Sequence, residues 1–330
     1  MKAINLVVTI TLDDTSLRKI TDSSSGIKFN DASKLARAEH EGDTAARKQL
    51  DTLLAEAEVI YGFGLPKNII ARAPKLKWVQ MISAGVERFI DDEFRQSSVI
   101  MTNVSGINAI PIAEFVLGLM LMFAKQALLC SELKQHKQWK PFAPGGLHSK
   151  TVGIVGLGSI GREVARLAKA FGMRVVATRR SVRQSRRARY VDLLYPPGQL
   201  LQLLSDSDFV VLAVPLTSET YRFIGERQLR SMKSTAYLIN IARGDVIDED
   251  ELIHALEDHW IAGAGLDVFA IEPLPPESRF WELPNVILSP HVSGIMEGLI
   301  ERATSVFCEN LRRYLTGRRL LNIVHKERGY

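Results

Sequence analysis

Cysteine is nearly absent from this chain, with two residues, Cys130 and Cys308, in 330. Both lie in helix-like apolar stretches. They offer no disulfide framework and no cysteine-rich metal site, and are expected to be buried thiols of a reducing compartment. Long hydrophobic runs are missing too. The most apolar stretch, 115–124, is flanked by Glu114 and Lys125 and is too short to span a bilayer, so a buried helix is expected. Residues 1–10 lack a small-residue cleavage site, and Asp13 and Asp14 follow closely, so a first strand is expected rather than a leader. Charge of one sign is also scarce. Lys and Arg number 42 against 37 Asp and Glu, too even a balance to mark a nucleic-acid partner. Together these absences point to a cytoplasmic protein with no membrane partner. No internal repeat and no low-complexity linker is present.

What is present is a length beyond one ordinary core, which suggests two domains. The first third alternates strand candidates (4–10, 59–61, 78–82, 99–103) with helical stretches at 32–47 and 49–57. Such alternation implies a parallel sheet covered on both faces. A long helix is expected over 110–134, then a Pro/Gly loop at 141–146. A second β/α series follows, with strands at 152–155, 174–178, 209–214, 236–241, 262–266 and 286–288, and a last helix at 297–315.

The second series opens on T-V-G-I-V-G-L-G-S-I-G at 151–161. An apolar strand runs into Gly156, Gly158 and Gly161, and a helix follows. Gly156 allows a tight turn, Gly158 a close approach to a pyrophosphate, and Gly161 close packing of helix on strand. The N–H groups of Ser159 and Ile160 at the helix start are the natural donors to the anion. Strand, loop, helix and second strand together meet the context a dinucleotide-binding (Rossmann) unit needs. That unit starts in mid-chain, so the N-terminal third and the C-terminal tail are expected to form a second domain together. The expected fold is α/β with two Rossmann-like domains, each a parallel sheet flanked by helices. The substrate domain is discontinuous (1–107 and 295–330) and the cofactor domain covers 108–294.

An acid at the end of the second strand selects NAD by binding the ribose 2′-hydroxyl. Here that end reads Ala177-Thr178-Arg179-Arg180. Guanidinium groups would instead grip a 2′-phosphate. NADP(H) is therefore the expected cofactor, with NAD(H) possible. The remaining arginines of the cluster, Arg183 to Arg189, are read as a solvated basic loop.

Three further motifs end predicted strands, where open α/β sheets bind ligands. They are Asn240-Ile241-Ala242-Arg243-Gly244, then Gly265-Leu266-Asp267 with Glu272-Pro273 after it, then Ser289-Pro290-His291-Val292-Ser293-Gly294. Reducing a ketone with a nicotinamide needs a cation to polarise the carbonyl and an acid to protonate the new alkoxide, and His suits the second task near neutrality. A carboxylate beside that His favours its charged form. Arg243, His291 and Glu272 supply the three; no metal is expected.

With these motifs the chain resembles the D-isomer-specific 2-hydroxyacid dehydrogenases, the family that contains glyoxylate/hydroxypyruvate reductases and phosphoglycerate dehydrogenases. The resemblance is clearest from Leu76 to Gly294, with V-P-L-T-S-E-T at 214–220 among its specific pieces. It implies that Arg243, Glu272 and His291 are catalytic, and that Ala84 and Gly85 hold the substrate carboxylate through backbone N–H groups. It further implies that Val214 and Pro215 line the adenine side, and that Ile241 and Asp267 lie near the nicotinamide. Arg179 departs from the Asp many members carry. The implied partner is a small 2-keto or 2-hydroxy acid of D configuration, and the implied assembly is a homodimer, which the apolar helix 112–124 supports weakly. Domain joints are expected near 105–108 and 294–298. Phe63, Met81, Trp281 and Met296 are candidates for the pocket wall, weighed against core packing. The competing class is a nicotinamide-binding regulator of the C-terminal-binding corepressor type, against which the lack of a long tail argues.

Overall fold

The short β-branched runs assemble into two mainly parallel sheets in two compact units, Met1–Ile107 with Met296–Tyr330, and Asn108–Ile295. The structure, a computed structural model, describes residues 3–23 and 26–330; Met1 and Lys2 of the 1–10 stretch, with Ser24 and Ser25, lie outside the described residues.

The first unit holds β1 (Ile4–Val8), β2 (Ile27–Asp31), β3 (Val59–Gly62), β4 (Trp78–Met81) and β5 (Ile100–Thr102), all parallel, in the order β2-β1-β3-β4-β5. Strand β2 was not expected. Its residues Ile-Lys-Phe-Asn-Asp sit on the sheet edge, where half-exposure permits a polar composition that reads as loop. The helix expected over 32–47 is two helices, Ser33–His40 and Thr44–Leu54. Gly42, at φ +98°, turns the chain between them, and the Asp43 carboxylate caps the second by accepting from the Ala45 and Ala46 N–H groups. The helix Leu299–Leu315 returns to this unit, where Phe307 stacks on Tyr61 with ring centroids 4.3 Å apart.

The second unit holds β6 (Thr151–Val155), β7 (Arg174–Thr178), β8 (Arg186–Ala188), β9 (Val191–Tyr195), β10 (Phe209–Leu212), β11 (Tyr237–Asn240), β12 (Gly263–Leu266) and β13 (Val286–Leu288). Their order is β13-β12-β11-β10-β6-β7-β9-β8, with β8 antiparallel to β9. The chain leaves β6 toward β7 on one side and returns to β10 on the other. The topological switch, where such sheets form a ligand crevice, therefore lies between β6 and β10. The basic stretch 183–189 is not wholly a loop: Arg186 and Arg187 lie on the edge strand β8. Charges there keep an exposed edge from pairing with another chain.

The long helix expected over 110–134 bends by 60° between Ala109–Ala124 and Ala127–Gln135, with Gln126 left-handed at φ 55°. The first part packs on the second unit's own sheet. Leu119 lies against Gly265, and the Phe123 ring stacks on Tyr237 at 4.4 Å. Most of its apolar side chains thus serve an internal core, while Ile110 and Met122 are exposed. Cys130 on the second part is exposed, contrary to expectation, while Cys308 is buried. Among the described residues no single helix is long and apolar enough to cross a membrane.

Candidate active site

Two of the three glycines of the 156–161 turn answer to the protein itself. Gly156 has φ +103°, and a Cβ there would lie 2.6 Å from the Ala213 carbonyl oxygen. A Cβ on Gly161 would lie 2.3 Å from the Gly156 carbonyl oxygen. Gly158 differs: its φ is −84°, and a Cβ there would meet nothing within 4 Å. Neither backbone nor packing explains that glycine, whereas close approach of a phosphate from outside does. Gly158 also precedes the helix Ser159–Ala170 and offers it no side-chain cap. First-turn amides of a helix have no acceptor within it, so those at Ser159 and Ile160 suit an anion. These residues fit a dinucleotide pyrophosphate.

The neighbouring strand ends border this turn. The Leu157 N–H donates to the Thr178 carbonyl at 3.0 Å, which ties the end of β7 to the turn and places exposed Arg179 and Arg180 just beyond it. Across the switch, Val214 lies over Gly156, its Cγ1 2.8 Å from where a Cβ would be. Thr220 Oγ1 donates to the Pro215 carbonyl and accepts from the Thr217 N–H, which shapes the loop after β10.

The second constellation gathers at the carboxyl ends of β11, β12 and β13. Buried Asn240 clamps the first turn. Its Oδ1 accepts from the Ala242 N–H and its Nδ2 donates to the Arg243 carbonyl. Ile241 is buried, and Arg243 Nη1 donates to the Ala242 carbonyl at 2.6 Å. Gly244 is indispensable here, because a Cβ would sit 1.9 Å from the Phe269 carbonyl carbon. The Arg243 turn and the 269–272 turn are thus in direct backbone contact. Glu272 Oε1 accepts from the Phe269 N–H at 3.1 Å, and its Oε2 lies 2.8 Å from His291 Nδ1. A carboxylate can only accept, so Nδ1 carries the proton and Nε2 is the nitrogen left for chemistry. His291 is in the left-handed region at φ 54°. Fully buried Asp267 braces it there: Oδ1 accepts from Ser289 Oγ and the Val292 N–H, Oδ2 from the Ser293 N–H. The contacts of Asp267 thus go to the loop around His291.

In the first unit, Ala84 and Gly85 lie on the loop after β4. Asn103 Nδ2 donates to the Ala84 carbonyl at 2.8 Å. Because a trans peptide sets its C=O and N–H on opposite sides, this bond also fixes the direction of the Gly85 N–H. Of the wall candidates, Met81 is a core residue with no exposure, whereas Phe63 and Trp281 are exposed and Met296 is intermediate. Asn240, Gly244 and Asn103 carried no role in the sequence reading. An Asn at a strand end before a turn is the signal that was available for the first.

The family description "D-isomer specific 2-hydroxyacid dehydrogenase, NAD binding domain" matches residues 117–293. A glyoxylate reductase of Korarchaeum cryptofilum is 38% identical over 266 residues, 79% of either chain. One from Thermococcus gammatolerans is 38% identical over 269 residues, again 79% of each. Among solved structures, a D-isomer specific 2-hydroxyacid dehydrogenase of Xanthobacter autotrophicus, in complex with NADPH and MES, has a TM-score of 0.84 at 29% identity over 99% of this chain and 100% of that one. The NADPH-dependent glyoxylate/hydroxypyruvate reductase of Sinorhizobium meliloti, with NADP and sulfate, also has a TM-score of 0.84, at 25% identity over 100% of both. With its glycine turn, its strand-end motifs and these likenesses, the chain belongs to the D-isomer specific 2-hydroxyacid dehydrogenase family and is a nicotinamide-dependent oxidoreductase.

Proposed function

We propose that this protein reduces a small 2-keto acid, glyoxylate or hydroxypyruvate in class, to the corresponding 2-hydroxy acid with NADPH, a product with a stereocentre having the D configuration. The observation that carries this reading is the 2.8 Å contact between His291 Nδ1 and Glu272 Oε2, in the same unit as the open-faced Gly158. A bound nicotinamide supplies the hydride for the carbonyl carbon. His291, protonated and held by Glu272, donates the Nε2 proton to the developing alkoxide. Arg243 attracts the carbonyl oxygen and the carboxylate, which lowers the energy of the charge that develops there. Ala84 and Gly85 are assigned to the substrate carboxylate, as the family resemblance implies. Arg179 and Arg180 grip the 2′-phosphate, and no acid stands at the end of β7 to repel it. Ile241 and Asp267 are assigned to the nicotinamide side and Val214 and Pro215 to the adenine side. A homodimer belongs to the same reading.

Two neighbours named above are an NADPH complex and an NADPH-dependent reductase, and both curated relatives are glyoxylate reductases. These support the choice of cofactor and substrate. The test is steady-state turnover of glyoxylate, hydroxypyruvate, pyruvate and phenylpyruvate with NADPH and with NADH. Fastest turnover is expected for the two small acids with NADPH. Binding of NADPH without turnover of any of the four would sink the proposal and favour a dinucleotide-sensing regulator.

A further inference from the structure

The first turn of the helix Glu249–Glu257 carries Glu249, Asp250 and Glu251. Acids at a helix start are ordinary, because they face the positive end of the helix dipole. Glu249 has a second contact that this does not explain. Its Oε1 accepts from the Ala270 N–H at 2.8 Å, across 21 residues of sequence. Ala270 lies in the turn whose preceding amide, that of Phe269, is held by Glu272 Oε1. The peptide between Phe269 and Ala270 is also the one Gly244 presses against, since a Cβ on Gly244 would lie 2.1 Å from the Ala270 nitrogen. One peptide unit is thus fixed from two sides: by the Gly244 backbone next to Arg243, and by the Glu249 carboxylate.

We infer that Glu249 is a positioning residue for the proposed reduction: by holding the Ala270 N–H it fixes the 269–272 turn so that Glu272 meets His291. The inference rests on the reading that Glu272 supports the charged form of His291. Glu249 touches neither residue in any described contact, and it acts through the backbone. Its carboxyl is half-buried, and burial foremost, then Asp245 and Asp250 nearby, pushes its pKa up, while the Ala270 N–H and Arg222 oppose this. A half-buried acid that holds a backbone amide outside its own helix has a use beyond that helix.

The experiment is an NMR titration of the His291 imidazole in the full-length chain, its signal identified by loss in His291→Asn. Glu272→Gln, Glu249→Asp and Glu249→Gln are compared with wild type. Glu249→Asp keeps the charge and loses the reach; Glu249→Gln keeps an oxygen within reach and loses the charge. Glu272→Gln is expected to lower the His291 midpoint, because the imidazolium loses the carboxylate 2.8 Å from its Nδ1. Glu249→Asp should produce at least half that displacement, and Glu249→Gln almost none. Thermal unfolding of each variant is followed alongside, because a merely structural role would lower stability without moving the midpoint. An unmoved midpoint in Glu249→Asp, with Glu272→Gln displaced, overturns this inference and leaves the Glu272–His291 reading intact. A displacement in Glu249→Gln but not in Glu249→Asp also overturns it, because the charge would then be what matters. An unmoved midpoint in Glu272→Gln overturns the underlying reading itself.

Discussion

Replacing Glu272 by Gln removes one charge and little volume, and its effect on the pH dependence has a definite sign. In the proposed reaction reduction requires protonated His291, so its rate should hold at low pH and fall as pH rises. A neighbouring carboxylate favours imidazolium, and without it the falling limb moves to lower pH. The structure bounds the size. Two unit charges about 4 Å apart attract by about 1 kcal/mol in water and about 4 kcal/mol at an effective dielectric of 20. The side chains of His291 and Glu272 are 41% and 31% exposed, so solvent reaches both. The lower half of the range applies, about 1–2 kcal/mol once exposure is allowed for. The 2.8 Å contact fixes the direction, and the limb should move to lower pH. The assay is kcat/KM for glyoxylate reduction at saturating NADPH across the pH range. The low-pH plateau should suffer less than the rate at neutrality, because acid restores the proton. The oxidation limb, which rises with pH, should also move to lower pH. A limb that stays in place or moves upward would refute the argument and leave Glu272 as a turn residue before Pro273.

His291→Ala should lower turnover by about two to four powers of ten, the usual worth of a positioned acid, with coenzyme binding retained; more than a tenth of wild-type turnover would count against the assignment. Arg179→Asp should shift preference from NADPH toward NADH, and a wild-type enzyme already favouring NADH would undo the premise. Gly161→Ala forces a Cβ to 2.3 Å from the Gly156 oxygen and should show lower stability in urea, whereas Gly158→Ala, facing open space, should keep stability and weaken NADPH binding. Those expectations fail if the two variants bind NADPH equally well. For Glu249, burial raises the carboxyl pKa in the folded state, so the ionised form disfavours folding; that penalty is absent below the ordinary carboxyl range and develops as pH rises through the raised value. The stability of Glu249→Gln relative to wild type should therefore increase from acid toward neutral pH, and a margin that shrinks over that interval would reverse the sign.

Periodicity reveals an element when one face is buried and the other wet, or when a strand is buried on both sides. The central strands β1, β3, β4, β6, β7 and β10 are such cases, and each coincides with a run read from the sequence. The strands it missed, β2, β8 and β9, all lie at or next to sheet edges, and β8 is held by one antiparallel neighbour. Helix boundaries were misread where a single residue breaks a continuing pattern. Gly42 and Asp43 divide one expected helix, and the left-handed Gln126 divides another with no glycine or proline to announce it.

The candidate site residues are read from the sequence by a different rule. A strand end in an open α/β sheet is where chemistry is placed, so Arg243, Glu272 and His291 stood out by position and type. The parts that hold them did not, because their reasons are long-range. Asp267 was read through its family place beside a nicotinamide, yet its three bonds go to residues 22, 25 and 26 positions away, which hold His291 left-handed. Gly244 reads as one more turn glycine until the Phe269–Ala270 peptide is seen against it. Glu249 reads as a helix-start acid until its oxygen is found on that same peptide. The glycine turn shows the converse. Gly156 and Gly161 are consumed by the fold, and only Gly158 lacks any internal reason to be glycine. The sequence offers three equal glycines in that turn; the structure singles out Gly158 as the one where a side chain would meet nothing within 4 Å.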